Sequence, residues 1–411
     1  MKRPLSAPEI FIWAGGQLPR NFALAAHIRG HFSQAQLRSA IKKILEKDAQ
    51  IGGRIIRDEA GRLWYETDHV SEPPIRIAQG NWIDEVAEEL LRPFDTSTGP
   101  LMRFVMVQTE EYTDLIMVCH HCIADGLSAA YVLRDLFCYL VVPAAQVTPL
   151  VLLPPFEELL PSKPPANMQF PSMMPIPPAK RSLSLASANQ LHVLSWAFTR
   201  AQTDAFVARC RREGTSVHAA ICAAFLIAFT ATNKGEPGTH SVSTPISLRS
   251  RLSLPVEEHF GLFIHPGIKT HLESTDGKDF WESAREIKAS LNRAVKSEEF
   301  WNIFYFGQYL LRTMPLEQVL AFNELPVDYD LSVTNLGCLD FPEFDQPLRL
   351  EALYGPAVNS MEDDQVLGIA TAGGQMTFTL VSHDRSLDFF TARQVKNVAM
   401  EQLVQAFTAI S

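Results

Sequence analysis

Residues 115–126 read LIMVCHHCIADG and join an apolar run, a pair of histidines and a turn. The run Leu115–Cys119 is typical of a buried strand, and it leads directly to His120 and His121. Asp125 and Gly126 are turn residues that open the following helical pattern. Because side chains alternate along a strand, the two histidines should point to opposite faces, so one of them can enter a given cleft.

A histidine at the end of a rigid strand is suited to proton abstraction. Its ordinary pKa of about 6.5 leaves much of it neutral at physiological pH. His121 is therefore the candidate base. Asp125 is a candidate for fixing the loop by pairing with an arginine, although a lone aspartate here is more often a helix N-cap.

The segments on both sides of this stretch alternate between strand and helix patterns. In the first half, strands are predicted over 22–28, 53–56, 62–65, 101–107 and 114–119, with helices after Ser33 and over 82–91 and 128–140. In the second half, 192–198 and 242–248 are predicted to be extended, and 203–212 and 217–232 helical. This alternation predicts α/β layers.

The length of 411 residues predicts two or three compact units. Between positions 143 and 178 the chain places 11 of its 27 prolines, which cannot sustain a helix or a central strand. We therefore predict an N-terminal domain over 1–142, a proline-rich crossover linker over 143–190 and a C-terminal domain over 191–411.

Charge and composition exclude several classes of function. A net charge of −10 argues against nonspecific binding of nucleic acid, and no apolar run approaches the roughly 20 residues of a membrane span. We expect a cytoplasmic monomer. Cys119–Cys122 does not predict a zinc site, because adjacent strand residues diverge and no second ligand pair has zinc spacing.

A hairpin is predicted at Gly373-Gly374, and its second strand leads to His383-Asp384. One hypothesis makes this pair a decayed counterpart of the histidine motif in the other half of the chain. Two residues do not decide it.

His120–Gly126 resembles the HHxxxDG signature of the superfamily of condensation domains and BAHD-type acyltransferases. Residues 93–103 resemble the PFD…GPLxR segment that precedes this signature in condensation domains. Residues 51–54 are similar to LAGR of the plant branch, and 246–252 to the family's DLRxRL. Residues 331–337 resemble the SNxG strand of polyketide-associated acyltransferases.

The resemblance implies two chloramphenicol-acetyltransferase-like α/β sandwich domains, arranged as a pseudo-dimer with a central tunnel. It implies acyl transfer from a coenzyme A or acyl-carrier-protein phosphopantetheine thioester to a small-molecule alcohol, forming an ester in polyketide, lipid or other secondary metabolism. The alternatives are an amide-forming condensation enzyme with an amine acceptor, and a catalytically silent module that binds carrier proteins. No permanently bound cofactor and no metal are implied.

The resemblance also implies roles for individual residues. His121 is the base in the middle of the tunnel, and the motif is completed by His120, Asp125 and Gly126. Arg249 is the expected salt-bridge partner of Asp125, with Arg54 and Arg251 as competitors. Candidates for the oxyanion site or the tunnel wall are Thr334 and Asn335, together with backbone groups near Gly126.

Overall fold

The structure is a computed structural model that describes residues 2–14, 19–68, 70–161, 190–232, 240–272, 279–321, 328–344, 347–359 and 364–408. The strands, in chain order, are β1 (Lys2–Pro4), β2 (Asn21–Arg29), β3 (Arg54–Arg57), β4 (Leu63–Glu66), β5 (Ile75–Ala78), β6 (Met102–Gln108), β7 (Tyr112–His120), β8 (Leu191–Ala197), β9 (Ser241–Ser247), β10 (Ile264–His271), β11 (Leu331–Leu339), β12 (Arg349–Val358), β13 (Val366–Ala372) and β14 (Gln375–His383). The helices are α1 (Ala7–Trp13), α2 (Gln34–Lys47), α3 (Trp82–Leu91), α4 (Gly126–Val141), α5 (Phe156–Leu159), α6 (Arg200–Arg212), α7 (Val217–Thr232), α8 (Phe280–Lys296), α9 (Asn302–Thr313), α10 (Leu316–Ala321) and α11 (Phe389–Thr408).

The first sheet is built around β7, the strand that ends at the histidine pair. Its spatial order is β12-β2-β7-β6-β5, and β2, β7 and β6 pair antiparallel. Every residue of β7 after Tyr112 is buried, because the sheet carries an apolar core on each face. One core is shared with α2 and α4, and the other with α3 and β8. A strand buried on both faces reads as a continuous apolar run.

The second sheet has the order β10-β9-β11-β13-β14-β8. Its largest core packs against α7, α8 and α11, and α7 is apolar nearly all round because it is surrounded by protein. A small third sheet has the order β1-β4-β3. The predicted α/β class with two sandwich domains is confirmed.

One strand from the second half of the chain lies in the first sheet. β12 pairs antiparallel with β2, with Arg349 opposite Arg29 and Val358 opposite Phe22. The predicted C-terminal domain over 191–411 therefore contributes one strand, β12, to the first sheet. β12 also lies close to the second sheet, because a Cβ at Gly368 of β13 would lie 2.0 Å from the carbonyl oxygen of Pro356.

Part of the predicted linker packs against both halves. Leu150 N donates to Lys47 O at 2.7 Å, while Phe156 and Leu159 of α5 enter the core of the second domain. Residues 162–189 of the linker lie outside the described residues. In the part of the chain that is described, no single helix is long and apolar enough to cross a membrane; α6 and α7 together pass that test by length and composition, but they are bent by 97°.

Candidate active site

The turn after β7 is held by main-chain hydrogen bonds that fix where each histidine points. His120 N donates to Leu101 O at 2.9 Å, and His121 N donates to Arg20 O at 2.7 Å. The turn closes when Ile123 N donates to His120 O at 3.2 Å. The backbone at both histidines is therefore held by the residues that directly precede β6 and β2.

His121 faces a cavity between the two domains, and its ring is oriented on two sides. Its Nδ1 lies 2.9 Å from Ala124 O, and its ring centroid lies 4.9 Å from that of Phe22. A carbonyl oxygen can only accept, so Nδ1 carries the proton and Nε2 keeps its lone pair. Burial lowers the pKa of His121 below its ordinary value. The ring is thus a neutral base whose basic nitrogen is unoccupied by this hydrogen bond.

His120 has a different environment. It is buried, and Cys122 N donates to its Nδ1 at 3.3 Å. Burial lowers the pKa of His120 to about 4, so it stays neutral at physiological pH. His120 is not among the described residues that line the cavity, as expected if the two histidines point to opposite faces.

Asp125 joins the first domain to the second. Its Oδ1 accepts from Ser128 N at 2.7 Å and so caps α4, while its Oδ2 accepts from Phe263 N at 2.9 Å. Asp125 N in turn donates to Gly261 O at 3.1 Å. The side chain is buried, so the two bonds to its carboxylate oxygens replace water that the carboxylate has lost.

Arg249 reaches Asp125 from the second domain. Its Nη2 lies 3.3 Å from Asp125 Oδ1 and 2.6 Å from Ser128 Oγ. Its Nη1 donates to Glu257 O at 2.6 Å and to His259 O at 3.1 Å. The guanidinium therefore holds the segment around 257–261 against the start of α4.

The two competing arginines are elsewhere. Arg54 pairs with Glu66 across the β3–β4 ladder, with its Nη2 2.6 Å from Glu66 Oε2. Arg251 lies over the ring of Phe300, with its guanidinium carbon 5.8 Å from the centroid. Arg54 is therefore not the partner of Asp125, because its antiparallel neighbour offers a closer carboxylate.

Gly126 lies against two strands from the second half of the chain. A Cβ at this position would lie 2.8 Å from Leu336 Cδ2 of β11 and 3.1 Å from Pro356 Cγ of β12. The absence of a side chain lets both strands contact the first turn of α4. The glycine of the motif is thus explained by close packing and not by a positive φ.

Thr334 and Asn335 occupy different positions. Thr334 lines the cavity, as does Gly126. Asn335 is not among the described lining residues, and its Oδ1 accepts from Gly337 N at 2.8 Å within a local irregularity of β11. The structure brings Thr334 to the site and engages the Asn335 side chain in its own turn.

The cavity beside His121 has a volume of about 450 Å³. Most of its wall is apolar and comes from α1, α9 and the start of β10, with Phe11, Phe304, Leu310 and Ile264 among its members. The remaining wall is polar and includes Arg20, Tyr329, Ser332, Asn359 and Asp364. The base therefore faces a space with one apolar and one polar part.

Three of the polar lining residues form an electrostatic group that sequence reasoning missed. The Tyr329 hydroxyl and the Asp364 carboxylate are hydrogen-bonded, and burial raises the pKa of Tyr329. Burial lowers the pKa of Arg20 to about 10, while the negative charge of Asp364 favours its charged form. Each residue lies one to two positions before a strand, and the parallel strands β11 and β13 begin at the same edge. The signal in the sequence that could have indicated this group is the position of its polar residues just before strands.

The turn after β14 has the same local geometry as the turn after β7. His383 O accepts from Ser386 N at 3.0 Å, and Asp388 Oδ1 accepts from Thr391 N at 3.1 Å to cap α11. His383 thus corresponds to His120, Asp384 to His121, and Asp388 to Asp125. Asp384 pairs with His192, so the second half carries an acid where the first carries the candidate base.

Among the described residues, no group of three or more His, Cys, Asp or Glu side chains is arranged to hold a metal ion. Cys119 and Cys122 are both buried as free thiols. Burial raises the pKa of each, so these thiols are protonated and inert.

Two family descriptions match adjoining parts of the chain. "Condensation domain" matches residues 20–146, which include the histidine pair, and "Phthiocerol/phthiodiolone dimycocerosyl transferase C-terminus" matches residues 187–380, which include Arg249 and β11. The chain belongs to the superfamily of condensation domains and polyketide-associated acyltransferases. This membership places it among acyltransferases and condensing enzymes.

Individual relatives agree with this assignment. The chain is 26% identical to one of the linear gramicidin synthase proteins of Brevibacillus parabrevis over 99% of its own length, but it spans 8% of that relative. Polyketide synthase associated protein 5 of Mycobacterium tuberculosis is similar over 98% of both chains, at a TM-score of 0.65 and 18% identity. Trichothecene 15-O-acetyltransferase TRI3 of Fusarium sporotrichioides is similar over 99% of this chain and 95% of its own, at a TM-score of 0.71 and 11% identity. At these identities the two solved structures show the fold.

Proposed function

We propose that this superfamily member transfers an acyl group from a thioester to a hydroxyl acceptor, with His121 as the general base. The observation that carries the proposal is the hydrogen bond between His121 Nδ1 and Ala124 O, made beside a cavity between the domains. That bond orients the ring and leaves Nε2 as the proton acceptor. Of the remaining residues of the motif, His120 and Asp125 hold the turn, and Gly126 lines the cavity.

The reaction needs no enzyme-bound acyl group. The acceptor hydroxyl gives its proton to His121 Nε2 while its oxygen attacks the thioester carbonyl carbon, forming the new C–O bond. The tetrahedral intermediate then collapses and the C–S bond breaks. The imidazolium returns the proton to the departing thiolate, so the products are an ester and a free thiol, and the base is regenerated.

The intermediate carries a negative charge that needs a nearby donor. The hydroxyl of Thr334 and the guanidinium of Arg20 both line the cavity and can supply one. Loss of a single donor of this kind costs roughly 10²- to 10³-fold in kcat. We assign Thr334 this role in preference to Asn335, which is not among the described residues that line the cavity.

The donor is a thioester of phosphopantetheine, presented either by coenzyme A or by a carrier protein. The synthase relatives and the condensation-domain match support a carrier protein, while the similarity to an O-acetyltransferase supports an alcohol acceptor. No permanently bound cofactor is required by this scheme. Amide formation is the second candidate, because the condensation-domain match covers the half that contains His121.

A thiol-release assay tests the proposal. Wild type, His121→Ala and the exposed control His271→Ala are incubated with acyl-coenzyme A or S-acyl pantetheine and either alcohols or amines, and free thiol and product mass are followed. We expect His121→Ala to lose at least about 10²-fold in rate at unchanged thermal stability, and His271→Ala to match wild type.

Wild-type rates in His121→Ala would refute the base assignment. Absence of His121-dependent turnover with every donor would favour the catalytically silent module. The mass of the product distinguishes an ester from an amide.

A further inference from the structure

We propose that α1 and α9 form the pocket for the acyl chain, and that Phe11, held against Gly307, sets the longest chain accepted. This inference rests on the proposed acyl transfer. It assigns one part of the cavity to one substrate and names a residue that determines specificity.

The two parts of the cavity differ in what they can solvate. The part lined by α1 and α9 presents Phe11, Phe304 and Leu310, and a hydrocarbon chain gains free energy when it moves from water to such a wall. The part lined by Arg20 and Asp364 presents charges that a hydrocarbon would leave unsolvated. The acyl chain is therefore expected to bind beside α1 and α9, and the polar acceptor beside Arg20 and Asp364.

The short helix α1 is held firmly despite its seven residues. Ser6 and Glu9 form a capping box at its start, and Glu9 Oε1 pairs with Arg3 Nη2 at 2.6 Å. Ala7 N donates to Glu157 Oε1 at 2.8 Å, which ties the helix to α5. Such anchoring makes α1 a fixed wall, which is what a sharp limit on chain length requires.

Gly307 lets α1 lie directly on α9. A Cβ at Gly307 would lie 3.1 Å from Phe11 Cε2 and 3.7 Å from Ala7 Cβ. The Phe11 ring is therefore in contact with the backbone of α9 and occupies part of the cavity wall. A larger residue at position 307 has to displace this ring.

The cavity volume limits the substrates. The space of about 450 Å³ has to hold the acyl chain and the acceptor together. We therefore expect short and medium acyl chains to be preferred over the longest ones. The change Phe11→Ala removes six ring carbons and opens the same wall.

The test measures chain-length dependence in two ways. S-acyl pantetheines with saturated chains of 4 to 16 carbons are used as donors for wild type, Phe11→Ala and the control Phe390→Ala, which makes the same change at an exposed site on α11. In parallel, the dissociation constants of the same compounds are measured for the same three proteins carrying His121→Ala, in which transfer is too slow to interfere. In both measurements we expect Phe11→Ala to lengthen the optimum donor chain by about two to six carbons. Relative to wild type, it should favour the longest chains at least about tenfold.

The reverse change strengthens the test. Gly307→Ala replaces a helix-interior glycine by the best helix former, so the helix itself is not weakened. Gly307 itself lines the cavity, so its added methyl group takes up space in the wall beside Phe11, and we expect the optimum chain length to shorten. Adding Phe11→Ala to Gly307→Ala should restore the longer chains.

The outcomes separate the two proposals. If His121-dependent transfer is present but Phe11→Ala and wild type have the same length profile, the inference is wrong and the acyltransferase stands. If transfer is absent but dissociation constants shift with chain length in Phe11→Ala, the pocket stands and the acyltransferase is wrong. Length profiles that are flat in both measurements overturn the pocket.

Discussion

Removal of the Asp125 carboxylate should destabilise the junction between the domains more than any other single change in the motif. The perturbation is Asp125→Ala, combined with Arg249→Met in a double-mutant cycle. Methionine keeps much of the arginine stem and removes its charge. The cycle reports the interaction between the two residues apart from their separate contacts.

The magnitude follows from the contacts of Asp125. Asp125→Ala leaves the N–H groups of Ser128 and Phe263 without their acceptor, and it leaves a guanidinium whose side chain is 8% exposed without its only carboxylate partner among the described residues. Breaking a buried pair in this way costs roughly 3–5 kcal/mol. Arg249 keeps three other oxygen acceptors, so we expect a value near 3 kcal/mol.

The companion change should cost less. Arg249→Met leaves Asp125 with two main-chain donors, each of which already satisfies the carboxylate in part. We expect a loss of about 1–3 kcal/mol, chiefly from the freed carbonyls of Glu257 and His259 and from desolvated charge on Asp125. In the double variant no unpaired charge remains, so the total should be at least about 1 kcal/mol smaller than the sum.

Urea unfolding followed by fluorescence gives the four free energies, and thiol release gives the four rates. Ala124, whose carbonyl orients His121, directly precedes Asp125, so activity should fall together with stability in Asp125→Ala. Additive losses within about 0.5 kcal/mol would refute the pairing argument. A loss below about 1 kcal/mol in Asp125→Ala would refute the claim that this carboxylate joins the domains.

Two further predictions concern the base and its glycine neighbour. Burial lowers the pKa of His121, so the neutral form persists as the pH falls, and the acidic limb of the kcat/KM profile should lie below about pH 6.5. Phe22→Ala removes the covering ring and should move that limb towards about pH 6.5. A wild-type limb above about pH 6.5 would contradict the burial argument. Gly126→Ala places a methyl group 2.8 Å from Leu336 Cδ2 and should lower the free energy of unfolding by about 1–3 kcal/mol. Adding Leu336→Ala should recover part of that loss. A single variant as stable as wild type would contradict the packing argument.

Local pattern was sufficient for elements whose ends are marked by nearby residues. The helix predicted over 82–91 is α3, and its start is fixed by Asn81, whose side chain accepts from Ile83 N. The helix predicted over 217–232 is α7, a long apolar run whose residues are mostly buried. The β13–β14 hairpin begins where Gly373 and Gly374 both adopt positive φ. In each of these cases the deciding interactions lie within a few residues.

Long-range pairing could not be predicted in the same way. β12 joins the first sheet through partners about 320 positions earlier in the chain, such as Arg349 with Arg29. The electrostatic group of the cavity could not be predicted for the same reason, because it depends on the order of distant strands. Arg20, Tyr329 and Asp364 lie in three separate connections, and the strand order brings them to one place.

The duplicated turn explains why one half of the chain carries the candidate base. The turn after β7 faces the second domain, so Gly126 must leave room for β11 and β12, and His121 is covered and kept neutral. The turn after β14 has Phe389 where Gly126 stands in the first half, and that side chain is 44% exposed. Asp384 is also partly exposed and pairs with His192, so no second wall closes over it. Two fused halves in which one faces the other therefore bury the first turn, where the candidate base has a lowered pKa, and leave the second turn partly exposed.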